Sequence, residues 1–147
     1  MARAKGAASA SGYSGTPLAR KLGIAPGDRL CVSGARPGYR RLVALPAGVR
    51  LVRSFDADTD LLHLFVTRHA ELERWLTDAR GTMRPDAAIW VSWPKKSSGM
   101  ASELTEDRVR ALALPLQLVD VKVCAIDATW SALKLVIRRE HRAPARP

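Results

Sequence analysis

Aromatic residues are scarce in this chain, cysteine is scarcer, and acidic residues are outnumbered by basic ones. Only 5% of its 147 residues are Phe, Trp or Tyr, too few for a surface that stacks one nucleic-acid base after another. The two cysteines, Cys31 and Cys124, sit far apart in strand-like apolar runs with no C-x-x-C pair. Both read as small buried hydrophobes, so neither a disulfide nor a metal is expected. No apolar run approaches the roughly 20 residues that span a bilayer; the longest are short, such as Leu61 to Val66 with His63 inside it. No apolar stretch follows Arg3 and Lys5, so no secretory signal is expected and the chain reads as cytoplasmic. Phosphate-loop, G-x-S-x-G and H-E-x-x-H patterns are missing too, so no cofactor and no catalytic residue is expected from motif alone.

What is present suffices for one ordinary core: 47% of residues are hydrophobic and 26% charged. The net charge is +10, from 24 basic and 14 acidic residues. The excess is uneven. Residues 1–53 hold 10 basic and 1 acidic residue, residues 54–94 hold 4 and 7, and residues 121–147 hold 6 and 2. An anionic partner is one implication, and non-specific contacts to nucleic acid through the basic ends are another. Against both stands a solvated basic surface.

Small, polar and basic residues 1–15 read as a mobile tail, residues 16–139 as a single α/β domain, and residues 140–147 as a basic C-terminal tail. Thr16-Pro17 suggests an N-cap followed by proline at the first position of a short helix, which Gly23 closes. Strands are expected over 29–33, 49–52, 60–66 and 87–93, the third nearly all apolar, as a buried parallel strand is. Short and long helices fit between them, over about 39–45 and 68–80, the latter with Leu72, Trp75, Leu76 and Ala79 on one face. Another helix starts near Thr105, with Glu106 and Asp107 where its dipole favours acids. Segments 118–126 and 131–138 form a closing antiparallel hairpin, with Trp130 in its turn. This order predicts a three-layer, Rossmann-like α/β fold whose mostly parallel sheet ends in an antiparallel hairpin.

The pattern over Asp60 to Arg138 resembles the back half of the class I methyltransferase fold. The resemblance implies a glycine-rich loop after the first strand, close to S-adenosylmethionine, and an acid after the second strand for the cofactor ribose. Here the loop is Leu30 to Gly38, where only Gly34 and Gly38 are glycines and Arg36 and Pro37 stand between them; the acid is Asp56. The chain therefore looks like a reduced, cofactor-poor version of that fold. Three segments, Gly12-Tyr13-Ser14-Gly15-Thr16-Pro17-Leu18, Trp93-Pro94-Lys95-Lys96-Ser97-Ser98-Gly99 and Val121-Lys122-Val123-Cys124 with Thr129-Trp130-Ser131-Ala132-Leu133-Lys134, also resemble those of a bacterial family known only as a domain of unknown function. That resemblance implies no activity.

Ligands of open α/β sheets bind beyond the carboxyl ends of the strands. Arg36, Arg68, Lys95 and Lys96 are expected on that rim, with Ser97, Ser98 and Gly99 as hydrogen-bonding neighbours. The Lys95–Lys96 pair is notable in a chain with 18 Arg and only 6 Lys. Paired ammonium groups beside a Ser-Ser-Gly turn suit a phosphate. Trp93 and Trp130 are candidates to stack on a ligand, Trp130 with Lys122 and Lys134 beside it. The main expectation is a binding or regulatory module that holds a phosphate-bearing or otherwise anionic partner. The alternative is a methyltransferase-like transferase with a degenerate cofactor site, for which a deep pocket beside His69 and Asp56 would speak. An interaction-only reading makes Trp130 and the hairpin edge a homodimer contact.

Overall fold

A computed structural model describes residues 16–141. The expected mobile tail over 1–15, and with it the start of the first motif, lies outside the described residues, as do residues 142–147 of the basic C-terminal tail. In chain order the elements are α1 (Leu18–Leu22), β1 (Arg29–Ser33), α2 (Tyr39–Val43), β2 (Arg50–Val52), β3 (Leu61–Phe65), α3 (His69–Thr82), β4 (Ala88–Pro94), α4 (Glu106–Ala113), β5 (Leu118–Ala125) and β6 (Trp130–Ile137). The six strands form one sheet in the order β2-β1-β3-β4-β6-β5. Strands β2, β1, β3 and β4 pair in parallel, and β6 runs antiparallel to both β4 and β5.

Every residue of β3 and β4 is buried, as expected for central strands covered on both faces. Alternation along them feeds two cores. Leu62, Leu64, Ile89, Val91 and Trp93 pack with Leu72, Leu76 and Ala79 of α3 and with Val109 and Ala113 of α4. Leu61, Phe65, Trp90 and Trp130 pack on the opposite face with Leu18 and Leu22 of α1 and Tyr39 and Val43 of α2. Trp90 and Trp93, three apart on one strand, therefore point to opposite faces, as their spacing requires. The Trp90 indole N–H also donates to the Leu22 carbonyl at 2.8 Å, which ties α1 to the sheet.

Local chemistry explains most boundaries. The Thr105 hydroxyl accepts from the Arg108 N–H at 3.2 Å and caps α4, whose first turn holds Glu106 and Asp107. Gly23, at φ 76°, ends α1. The start of α1 differs from expectation, because Pro17 is the capping residue and makes no side-chain cap bond. No helix connects β2 to β3. An eight-residue stretch, Arg53 to Asp60, makes that crossover, with a turn in which the Asp56 carboxylate accepts from the Asp58 N–H at 2.9 Å and the Thr59 hydroxyl at 3.1 Å. Among the described residues, no helix is long and apolar enough to cross a membrane.

Candidate functional site

Because β1, β3 and β4 are parallel, the loops after them leave the sheet at one edge. Arg36 and Arg68 are exposed there, Lys96 is exposed and Lys95 half-buried. None of the four makes an ion pair among the described residues, whereas Arg84 and Arg110 elsewhere each hold two or more carboxylates. The rim thus carries four basic side chains outside any ion pair among the described residues. Its third loop is well fixed: the Lys95 N–H donates to the Thr129 carbonyl at 2.8 Å and binds the loop to the turn of the hairpin. Residues Lys96–Ser98 form one 3-10 turn, ended by Gly99 at φ 76°.

Two members of the expected site have other work. The Ser98 hydroxyl donates to the Lys95 carbonyl at 2.7 Å and accepts from the Met100 N–H at 3.1 Å, so it shapes the loop while Ser97 stays exposed. Trp93 is 7% exposed and lies in the core under α3 and α4, where its ring packs rather than stacks on a ligand. Trp130 is also corrected. It is the first residue of β6, opposite Pro94, and not part of the turn. The Asp127 carboxylate closes that turn, its Oδ1 accepting from the Thr129 N–H at 2.8 Å and the Trp130 N–H at 2.9 Å. Strand pairing thereby extends one residue further than the alternation suggests, and the Trp130 ring packs edge-on against Phe65 with centroids 5.1 Å apart.

His69 opens α3 on the surface, its N–H donating to Glu103 at 2.8 Å, and Asp56 is engaged in its own turn. Neither lines the hollows described next. Two hollows do meet at the rim. One, about 820 Å³ and shallow, is lined by Gly34 to Arg41 and includes Arg36, Arg40 and Arg41. The other, about 270 Å³, lies between Arg36, Tyr39, Leu42, Phe65, Asp127 and Trp130. A third groove, of about 500 Å³, runs along α3 over Phe55 and Trp75.

Beneath the rim lies a polar chain that the sequence does not reveal. His63 is fully buried; its Nδ1 is 2.8 Å from the Tyr39 hydroxyl and its Nε2 2.7 Å from the Ser92 hydroxyl. Burial depresses the His63 pKa to about 3, so the ring is neutral, and burial raises the Tyr39 phenol above its ordinary value. The ring also stacks on Phe65 at 4.4 Å. Three elements, α2, β3 and β4, are thereby held together. Burial likewise raises the thiols of Cys31 and Cys124, which disfavours their reactive thiolate forms. No group of three or more His, Cys, Asp or Glu side chains suited to a metal occurs among the described residues.

No protein-family model matches the sequence, and no curated protein matches it. Solved structures do match in shape. Fibrillarin from Methanococcus jannaschii, a pre-rRNA processing protein, superposes with a TM-score of 0.55 over 90% of this chain and 73% of its own, at 8% identity. Aeropyrum pernix fibrillarin, solved with natively bound S-adenosyl-L-methionine, gives 0.51 over 89% and 73%, at 14% identity. The riboflavin-derivative dimethyltransferase RosA from Streptomyces davawensis gives 0.56 over 74% and 49%, at 12% identity. The fold is the Rossmann-like fold of class I methyltransferases. At such identities the likeness is one of fold alone.

The residues expected to hold S-adenosylmethionine depart from a glycine-rich cradle, because exposed Arg36 and Pro37 stand between Gly34 and Gly38. A Cβ on Gly34 would stand 2.3 Å from the Phe65 carbonyl oxygen, so the glycine here admits the end of β3. The acid after β2, Asp56, spends its Oδ1 on the Asp58 and Thr59 groups of its own turn and keeps Oδ2 without a hydrogen-bond partner among the described residues.

Proposed function

We propose that this chain is a methyltransferase-like protein with a degenerate cofactor site, and that its rim binds a phosphate-bearing or otherwise anionic partner in place of S-adenosylmethionine. The methyltransferase-like part rests on the solved neighbours, which superpose over 89–90% of this chain. The single observation that carries the degenerate part is the loop after β1, where exposed Arg36 and Pro37 take the places between Gly34 and Gly38. The binding part rests on Arg36, Arg68, Lys95 and Lys96, which share one edge and have no acidic partner among the described residues. Guanidinium and ammonium groups in that state suit phosphate oxygens.

Calorimetric titration at low salt tests both parts. Inorganic pyrophosphate should bind to the wild type and lose about tenfold or more in affinity to Lys95→Ala/Lys96→Ala, as charge-assisted hydrogen bonds are removed. S-adenosylmethionine should give no saturable heat. Saturable binding of S-adenosylmethionine would overturn the degenerate-site reading and favour a transferase; pyrophosphate binding untouched by the double substitution would move the anion site away from the rim.

A further inference from the structure

The geometry points to a nucleoside phosphate bearing an amino-substituted base as the ligand of the rim. This rests on the anion-binding reading above and extends it to a ligand class and to residues outside the expected set. The 270 Å³ slot is lined by Tyr39, Phe65 and Trp130, whose rings pack edge to face in one aromatic cluster, with Pro37 and Leu42 beside them. A flat heterocycle laid against such an aromatic, apolar lining matches it better than a bare anion does.

Asp127 gives the slot a directional group. Its Oδ1 is committed to two backbone N–H groups, and its Oδ2 has no hydrogen-bond partner among the described residues. A carboxylate oxygen only accepts, so the matching ligand edge is a donor such as an exocyclic amino group. At the mouth of the slot the shallow hollow begins, with Arg36 shared between the two and Arg40 and Arg41 beyond it. None of the three arginines has an ion-pair partner among the described residues. Base in the slot and phosphates on the arginines is thus the arrangement the two hollows fit together. The Lys95 loop, bonded to the same turn through Thr129, flanks it from the other side.

Titration of ATP, inosine triphosphate and inorganic triphosphate tests this inference. Inosine triphosphate carries a carbonyl where ATP carries the amino group. The wild type should bind ATP about tenfold tighter than either of the others, the size of one hydrogen bond to a charged group. In Asp127→Asn the carbonyl oxygen keeps the turn while the amide nitrogen replaces the ligand-facing oxygen, so the preference should reverse toward inosine triphosphate. Arg40→Ala/Arg41→Ala should weaken all three ligands, with an unchanged melting temperature because both positions are exposed. Inorganic triphosphate bound as tightly as ATP would leave the anion reading standing and overturn the base slot. An ATP preference that Asp127→Asn leaves intact would overturn it as well. No binding by any of the three would overturn both.

Discussion

Gly34→Ala should destabilise the protein by about 3 kcal/mol or more, a large share of the roughly 5–15 kcal/mol that holds a domain together. Two costs combine. At φ 83° a Cβ is strained, by about 1–2 kcal/mol. That Cβ would also sit 2.3 Å from the Phe65 carbonyl oxygen, and a backbone atom at the end of a central strand cannot turn aside as a side chain would. Gly38 provides the comparison. It has φ 99° but nothing within 4 Å of its hypothetical Cβ, so Gly38→Ala should show the conformational cost alone. Urea unfolding of the two variants measures the difference. Equal destabilisation would mean that β1 and β3 do not close on each other at this point.

The second large effect is on acid stability. His63 has a pKa of about 3 in the folded protein against 6.5 ordinarily, because burial disfavours its charged form. The unfolded chain therefore binds the proton first as pH falls. Above pH 6.5 this costs the folded state nothing; below it, stability drops by up to about 1.4 kcal/mol per pH unit, until the folded pKa is reached. Between pH 6.5 and 4 the loss is on the order of 3 kcal/mol. Asp86, whose carboxyl Arg84 holds low through a hydrogen bond, adds its own loss only around and below the ordinary carboxylate value of 3.8. The urea midpoint of the wild type should thus fall steeply from pH 6.5 to 4, and that of His63→Gln should be lower at pH 7 but nearly flat over the same window. A wild-type midpoint that stays level there would show that His63 is protonated without cost and is not sealed between Tyr39 and Ser92.

The fold was legible in the chain because its central strands leave little choice. Leu61 to Phe65 and Ala88 to Trp93 are too apolar and too short for anything but buried strands, and the spacing of Leu72, Leu76 and Ala79 marks the helix between them. The rim was legible for the same reason, since parallel strands deliver Arg36, Arg68 and Lys95 to one edge whatever the details. Contacts distant in sequence were not. His63 reads as an oddity in an apolar strand until Tyr39, 24 positions earlier, and Ser92, 29 later, take its two nitrogens. Ser98 reads as a ligand donor until its hydroxyl is seen closing its own turn. Trp130 was misplaced because the Asp127 turn tightens the hairpin by a hydrogen-bond pattern that alternation of apolar residues does not register. Arg40 and Arg41, which read as an unremarkable helix, gain meaning only from the hollow they line.

The most direct measurement is an amide chemical-shift map of the labelled protein with inorganic pyrophosphate and, separately, with S-adenosylmethionine. The account predicts that pyrophosphate moves the signals of Arg36, Arg68, Lys95 and Lys96 together, while S-adenosylmethionine at the same concentration moves none of the loop from Ser33 to Gly38. Saturable shifts at Gly34 and Asp56 with S-adenosylmethionine, and none at the rim with pyrophosphate, would contradict it.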